Sequence, residues 1–254
     1  MKTIFKKSLF ILISLLAISC NNNDDSNNTN NYPTEGLVAY FPFDGDWEDV
    51  VTPNTIVTTS DNQPNFDEDR NGNQNSSIYF DGNAQYLNIT LASHIISSPN
   101  YQTTIAFWLR NDITADLYRT LLAESGIQAI GIQTNSKLPA KVSVNYNYLV
   151  EDNEEDITAI GSNTSYPSEV GVWTHLVYTV NSEYLKLYVN GINVKSIQLG
   201  EFVDTQFIPI LQPYSQFVLG ANSKIDEFWR GNIDELFFYD RALTDDEIQS
   251  LYLN

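Results

Sequence analysis

The chain has a single cysteine, Cys20. No internal disulfide can staple the fold, so a hydrophobic core has to hold it. Positive charge is also scarce: 13 Lys and Arg stand against 32 Asp and Glu, a formal charge of −19. That balance makes nucleic acid and anionic lipid surfaces poor partners. It leaves cations and neutral, hydroxyl-rich ligands open. His94 and His175 are the only histidines, too few beside one cysteine for the common zinc sites. His175 sits inside an apolar run and reads as a packed strand residue. A retaining glycosidase needs two carboxylates about 5–5.5 Å apart. Asp226-Glu227 and Asp234-Glu235 are the adjacent pairs on candidate strands, and neighbours on a strand point to opposite faces. Neither pair is expected to converge. Glu151 to Asp156 is acid-rich but reads as a polar loop. The apolar run Leu9 to Ile18 is too short to span a bilayer. Helical periodicity is missing until the last residues, and no fixed-period repeat appears.

The first residues carry Lys2, Lys6 and Lys7 ahead of that apolar run, the order of a secretory signal. The run ends at Leu16-Ala17-Ile18-Ser19-Cys20. This resembles the lipobox of bacterial lipoproteins, in which the matching cysteine becomes the lipidated N-terminus. The expectation is a leader over 1–19, removed on export, and a lipid on Cys20 that attaches the protein to the outer membrane. A lipid chain contributes about 0.8 kcal/mol per buried CH₂. Residues 20–35 are almost all Asn, Asp, Ser and Thr, with too little apolar surface to offset ordering entropy, and read as a tether. Asp24 and Asp25 resemble the surface-export signal of some Gram-negative lipoproteins. The expected domain is 36–254, an ordinary length for one all-β unit.

Strands dominate that domain. Gly36 to Phe43 reads as the first. Ser76 to Ile89 reads as two strands around the turn pair Asp81-Gly82. Thr103 to Asn111 alternates, with Ile105, Phe107 and Leu109 on one face. Lys141 to Val150 alternates cleanly, with Val142, Val144, Tyr146, Tyr148 and Val150 inward and Ser143, Asn145 and Asn147 outward. From Trp173 to Ile197, two turns, Asn181-Ser182 and Asn190-Gly191, separate alternating runs; the second fits type I′, because Asn and Gly tolerate positive φ. In the last strand, Ile233 to Tyr239, alternation puts Leu236 and Phe238 on one face and Ile233, Phe237 and Tyr239 on the other. Both faces are apolar, so both should be covered. Thr244-Asp245-Asp246-Glu247 fits a capping box opening a helix over Asp245 to Tyr252.

The segments "GLVAYFPFDGDWEDV", "DRNGNQNSSIYFDGNAQYLNI", "TTIAFWLRN", "GVWTHLVYTVNSEYLKLYVNGINV" and "GNIDELFFYDRALTDDEIQSLY" occur in this order. Together they resemble the laminin-G-like jelly roll of the concanavalin A-like lectin/glucanase superfamily. The resemblance implies an all-β, two-sheet antiparallel jelly-roll sandwich with one short C-terminal helix. It places the final strand beside the first. Phe237 departs from a position where polar or basic residues are common, and is either deeply buried or an exposed aromatic. The related glucanases carry Glu-x-Asp-x-Glu or Glu-x-Asp-x-x-Glu on one strand, and this chain has neither, so no enzyme activity is expected.

Two kinds of site are expected. Asp67, Asp69 and Asn71 stand two apart before Gly72, like the first half of an EF-hand loop. The twelfth position is Ile78 rather than Glu, which excludes a complete one. The resemblance adds Asp44, Asp81 and Asp234 as calcium candidates. The same residues also build turns without metal. For a glycan, aromatic rings would stack and Asn, Asp or Gln would hydrogen-bond. Trp108 and Trp173 read as core, leaving Trp47 and Trp229 near strand ends as platforms, with Asn145 and Asn147 on the outward face. The expected function is a non-catalytic glycan- or polysaccharide-binding lipoprotein, calcium-dependent or not. The alternative is a protein-binding adhesion module on the cell surface, and the third reading a glycoside hydrolase.

Overall fold

Alternation of β-branched and aromatic residues decides the architecture, because each such run can bury one side of a pleated strand. In the computed structural model, 18 strands and one helix form among the described residues. The structure describes residues 31–91, 102–112, 118–124, 130–135, 141–146, 149–150, 160–161, 166–167, 169–198, 207–208, 216–222 and 224–254. The expected leader, and Cys20 with it, lie outside them.

The inner sheet contains β1 (Leu37–Phe41), β3 (Asn65–Asp67), β4 (Ser77–Asp81), β6 (Thr103–Asn111), β13 (Trp173–Val180), β14 (Tyr184–Val189), β15 (Ile192–Gln198) and β18 (Arg230–Tyr239). Its order is β15-β14-β13-β6-β18-β4-β3, with β1 also on β18. The second sheet runs β11-β9-β8-β7-β17-β5-β2, with β12 on β9. Its strands are β2 (Ile56–Thr59), β5 (Leu87–Thr90), β7 (Tyr118–Glu124), β8 (Ile130–Asn135), β9 (Lys141–Tyr146), β11 (Ile160–Gly161), β12 (Tyr166–Pro167) and β17 (Gln216–Leu219). β10 (Leu149–Val150) pairs separately with β16 (Phe207–Ile208). The single strand expected over Lys141 to Val150 is therefore divided. The turn at Asp81-Gly82 is a corner, not a hairpin, because β4 and β5 belong to different sheets.

The main core fills the space between the sheets, with Ile105, Phe107, Leu109, Leu176 and Phe238 facing Leu87, Ile89, Phe217 and Leu219. A second apolar layer covers the other side of the inner sheet. There Ala106, Val177, Tyr188, Phe237 and Tyr239 meet Leu243, Ile248 and Leu251 of the C-terminal segment. Helix α1 (Asp245–Leu253) is opened by the expected capping box of Thr244 and Glu247. This second layer explains why β6 is buried along nearly its whole length.

The N-terminal boundary lies before residue 36, because the folded unit begins at Asn31. Tyr32 packs on Tyr40 and Phe237 with ring centroids 5.0 and 5.3 Å apart. The Tyr239 hydroxyl donates to the Pro33 carbonyl at 3.0 Å, and Arg241 Nε donates to that of Glu35 at 2.8 Å. Tyr32 and Pro33 thus pack against the folded unit, although the expected tether runs to residue 35. Phe237 stacks on Tyr40 at 4.1 Å and is 4% exposed, the deeper-burial alternative.

Strict alternation fails in β18. Ile233 joins Leu236 and Phe238 in the main core, while Phe237 and Tyr239 face the helix. The pairing register with β6 shifts between Asp234 and Phe237, and Glu235 adopts φ +50°. An extra residue in the strand, a β-bulge, switches the faces. The turn at Asn190-Gly191 has φ of +50° and +74°, as a type I′ turn requires.

Candidate functional site

The loop between β1 and β2 folds back on β1 because one carboxylate organises it. Asp49 Oδ1 accepts from the backbone N–H groups of Tyr40 at 3.1 Å and Val51 at 2.9 Å. Its Oδ2 accepts from the Thr55 hydroxyl at 2.6 Å. The Thr52 hydroxyl donates to the Val38 carbonyl at 2.6 Å, and Val50 N–H to that of Tyr40 at 3.0 Å. These bonds hold the loop against β1. Trp47 packs against the main core and stacks on Phe66, centroids 5.5 Å apart and 20° between planes. A cleft of about 380 Å³ opens beside it, lined by Trp47, Glu48, Asp49, Thr52, Pro53, Thr55 and Val57. Its size falls in the usual range for small-ligand sites. Next to it, Val50 and Ile56 are 58% and 61% exposed.

Trp47 is half-buried at the cleft, as a stacking platform needs. Trp229 is not a platform: it is 0% exposed, packs edge-on to Phe80, and lies against Gly231. Gly231, at φ +144°, has no room for a Cβ, which would lie 2.1 Å from the Arg110 carbonyl and 2.7 Å from the Trp229 ring. Trp173 is only half-buried, with the Arg110 guanidinium 5.6 Å from its ring centre. Asn145 lies in β9, opposite Gly131 and Gly161. Asn147 lies outside the described residues.

The calcium candidates do not come together. Asp69 closes its own turn: Oδ1 accepts from the N–H groups of Asn71 and Asn73, both at 2.8 Å, and Oδ2 from the Asn73 amide at 2.8 Å. Burial pushes its carboxyl up, but these bonds outweigh it and hold it below the usual range. Asp67 accepts from the Asn232 amide at 3.1 Å and pairs with Arg110 at 3.4 Å. Asp81 Oδ1 accepts from Asn83 N–H at 2.7 Å. Asp44 and Asn71 are exposed. Asp234 pairs with Arg70 at 2.9 Å. Among the described residues no group of three or more His, Cys, Asp or Glu is arranged to hold a metal ion. Oxygens committed to arginines and backbone amides do not fit a calcium shell of six to eight ligands.

The Asp234-Glu235 pair does converge, because the bulge turns both side chains toward Arg70, at 2.9 and 3.0 Å. Arg70 also donates to the Asn254 carbonyl at 2.9 Å and lies 4.7 Å over the Trp108 ring. Trp108 in turn stacks on Tyr252 of the helix and approaches His175. Burial, then the charge of Glu235, push Asp234 up to about 8, and Arg70 offsets only part of this. Burial pulls His175 down to about 3, with Arg70 adding to the effect. Both carboxyl groups share one arginine, and the Asp234 side chain is 3% exposed, so the arrangement ties sheet to helix end.

Sequence reading missed Glu48, Asp49, Thr52 and Thr55. The signal was "DVVTPNT", a turn-forming stretch between apolar runs whose Asp and Thr side chains can cap backbone groups.

The chain belongs to the concanavalin A-like lectin/glucanases superfamily, whose laminin G family model matches residues 81–249. The Trp47 cleft precedes that span. Human pappalysin-1 (Homo sapiens) is 28% identical over 182 residues, 68% of this chain and 11% of that protein. The chain is thus similar to about a tenth of that relative. Among solved structures, the binding domain of botulinum neurotoxin DC in complex with rat synaptotagmin II superposes with TM-score 0.61 at 14% identity, covering 86% of this chain and 51% of that one. The botulinum neurotoxin serotype D ligand binding domain in complex with N-acetylneuraminic acid gives 0.60 at 17%, with the same 86% and 51%. At these identities the likeness is one of fold.

Proposed function

We propose that the chain is a non-catalytic recognition module that binds a glycan at the Trp47 cleft. The observation that carries this reading is the cleft itself: a half-exposed indole stacked on Phe66, beside Glu48, in a loop held rigid by Asp49. A preformed site spends little binding energy on ordering. Family membership supports a binding role, and two similar folds are described with a sugar acid and a protein receptor. The leader and Cys20 support export and lipid anchoring at the outer membrane, on the cell surface. The donor geometry favours binding without calcium.

A protein partner is the second reading. It is favoured by Val50, Val51 and Ile56, which are 58%, 36% and 61% exposed beside the cleft. Phe237, being buried, contributes nothing to that patch.

A glycan array tests the first reading, with wild-type protein and Trp47→Ala, in calcium and in chelator. Hits that persist in chelator and fall at least tenfold in Trp47→Ala are expected, on the order of one lost stacking contact. Hits indifferent to Trp47→Ala would contradict the site, and silence throughout would favour the protein partner.

A further inference from the structure

The charges around the cleft determine which glycans it can take. Its lining contains two acidic residues and no lysine or arginine. The two acids have different roles. Asp49 has both oxygens committed to the loop. Glu48 is exposed, and among the described residues its carboxylate has no ion-pair or hydrogen-bond partner; only its backbone N–H is engaged, donating to Asp46 at 3.0 Å. Asp44 and Asp46, both exposed, stand on the same loop. The described arginines on neighbouring elements are occupied elsewhere: Arg70 with Asp234 and Glu235, Arg110 with Asp67. A sugar stacked on Trp47 would therefore meet negative charge and no lining cation, in a protein of net charge −19.

Building on the reading that the Trp47 cleft binds glycan, we propose that it selects saccharides bearing protonated amino groups over neutral ones, and excludes carboxylated ones. Trp47 supplies the stacking surface, on which a cation is also favoured over the ring face. Glu48 supplies the charge that an ammonium group meets and a uronate or sialate avoids. The solved neighbour with N-acetylneuraminic acid thus shares this chain's fold but not the ligand charge expected here.

Three oligosaccharides of equal length test this by calorimetry at low salt and mildly acidic pH: oligomers of glucosamine, of N-acetylglucosamine and of galacturonic acid. The glucosamine oligomer is expected to bind about tenfold tighter than the N-acetylated one, and the galacturonic acid oligomer weakest. The gap should close near 1 M salt, where the screening length is about 3 Å. Glu48→Gln should weaken the glucosamine oligomer more than the N-acetylated one. Glu183→Gln, an exposed site on the β13–β14 turn, removes the same net charge and should leave the order unchanged. Equal binding of all three, or a gap that survives Glu48→Gln, overturns the selectivity while leaving the cleft reading intact, provided Trp47→Ala abolishes binding. Binding that survives Trp47→Ala, or no binding of any oligomer, overturns the cleft reading itself.

Discussion

Arg70 shows how much of this fold depends on single charged side chains. It is one cation serving two carboxylates, a helix-end carbonyl and an indole face. Around it, Asp234 and His175 give stability opposite dependences on pH. Asp234 titrates near 8 folded against 3.8 for a free carboxyl. The folded state therefore keeps a proton that the unfolded chain releases, and its contribution is lost as pH rises through about 8. His175 sits near 3 folded against 6.5 free. Its contribution is complete above 6.5 and is lost as pH falls toward 3. Glu247, held at about 2 by Arg241, acts in the same direction at the acid end. Denaturant midpoints measured across pH should thus form a plateau between the two limbs. Asp234→Asn should reduce the alkaline limb, which Glu235 shares because burial raises its carboxyl too, and His175→Gln should reduce the acid limb, which Glu247 shares; an alkaline limb unchanged in Asp234→Asn would contradict the assignment. None of this was legible in the sequence. Arg70 and Asp234 are 164 residues apart, and nothing local in "DEDRNG" marks the arginine as their meeting point.

Elements were more legible where the signal was local. The type I′ turn and the capping box each rest on a few adjacent residues, and both formed as expected. Thr244→Ala should cost about 1 kcal/mol, read as a lower melting temperature, because it removes an N-terminal hydrogen bond of α1. Since α1 also covers Phe237, fraying there should expose the second apolar layer, and an unchanged melt would show the cap to be dispensable. The bulge in β18 was misread because strict alternation is the default for a strand. Two adjacent acids between Ile233 and Leu236 were its one visible trace. The consequence reaches beyond one residue: the bulge lets a single strand feed the main core with Ile233, Leu236 and Phe238 and the helix side with Phe237 and Tyr239.

At the scale of the whole molecule, the two-sheet sandwich was readable because it follows from many alternating runs that agree with one another. The site was not, because it depends on long-range bonds rather than on spacing. Trp47 and Trp229 look alike in the sequence, each near a strand end. One is held at the surface by a loop tied back to β1, and the other is sealed between Phe80 and Gly231. Among the calcium candidates, Asp67 and Asp69 stand at an alternate spacing visible in the sequence, but that their oxygens accept from Asn232, Asn71 and Asn73, and those of Asp234 from Arg70, depends on the fold. A half-exposed indole, Trp47, and an exposed carboxylate with no partner among the described residues, Glu48, meet on the β1–β2 loop. Amide hydrogen exchange with and without a glucosamine oligomer tests that convergence most directly. The account predicts slowed exchange between Asp44 and Val57, with β13, β14 and β15 unchanged. Protection elsewhere on the molecule, with Asp44 to Val57 exchanging as before, would contradict it.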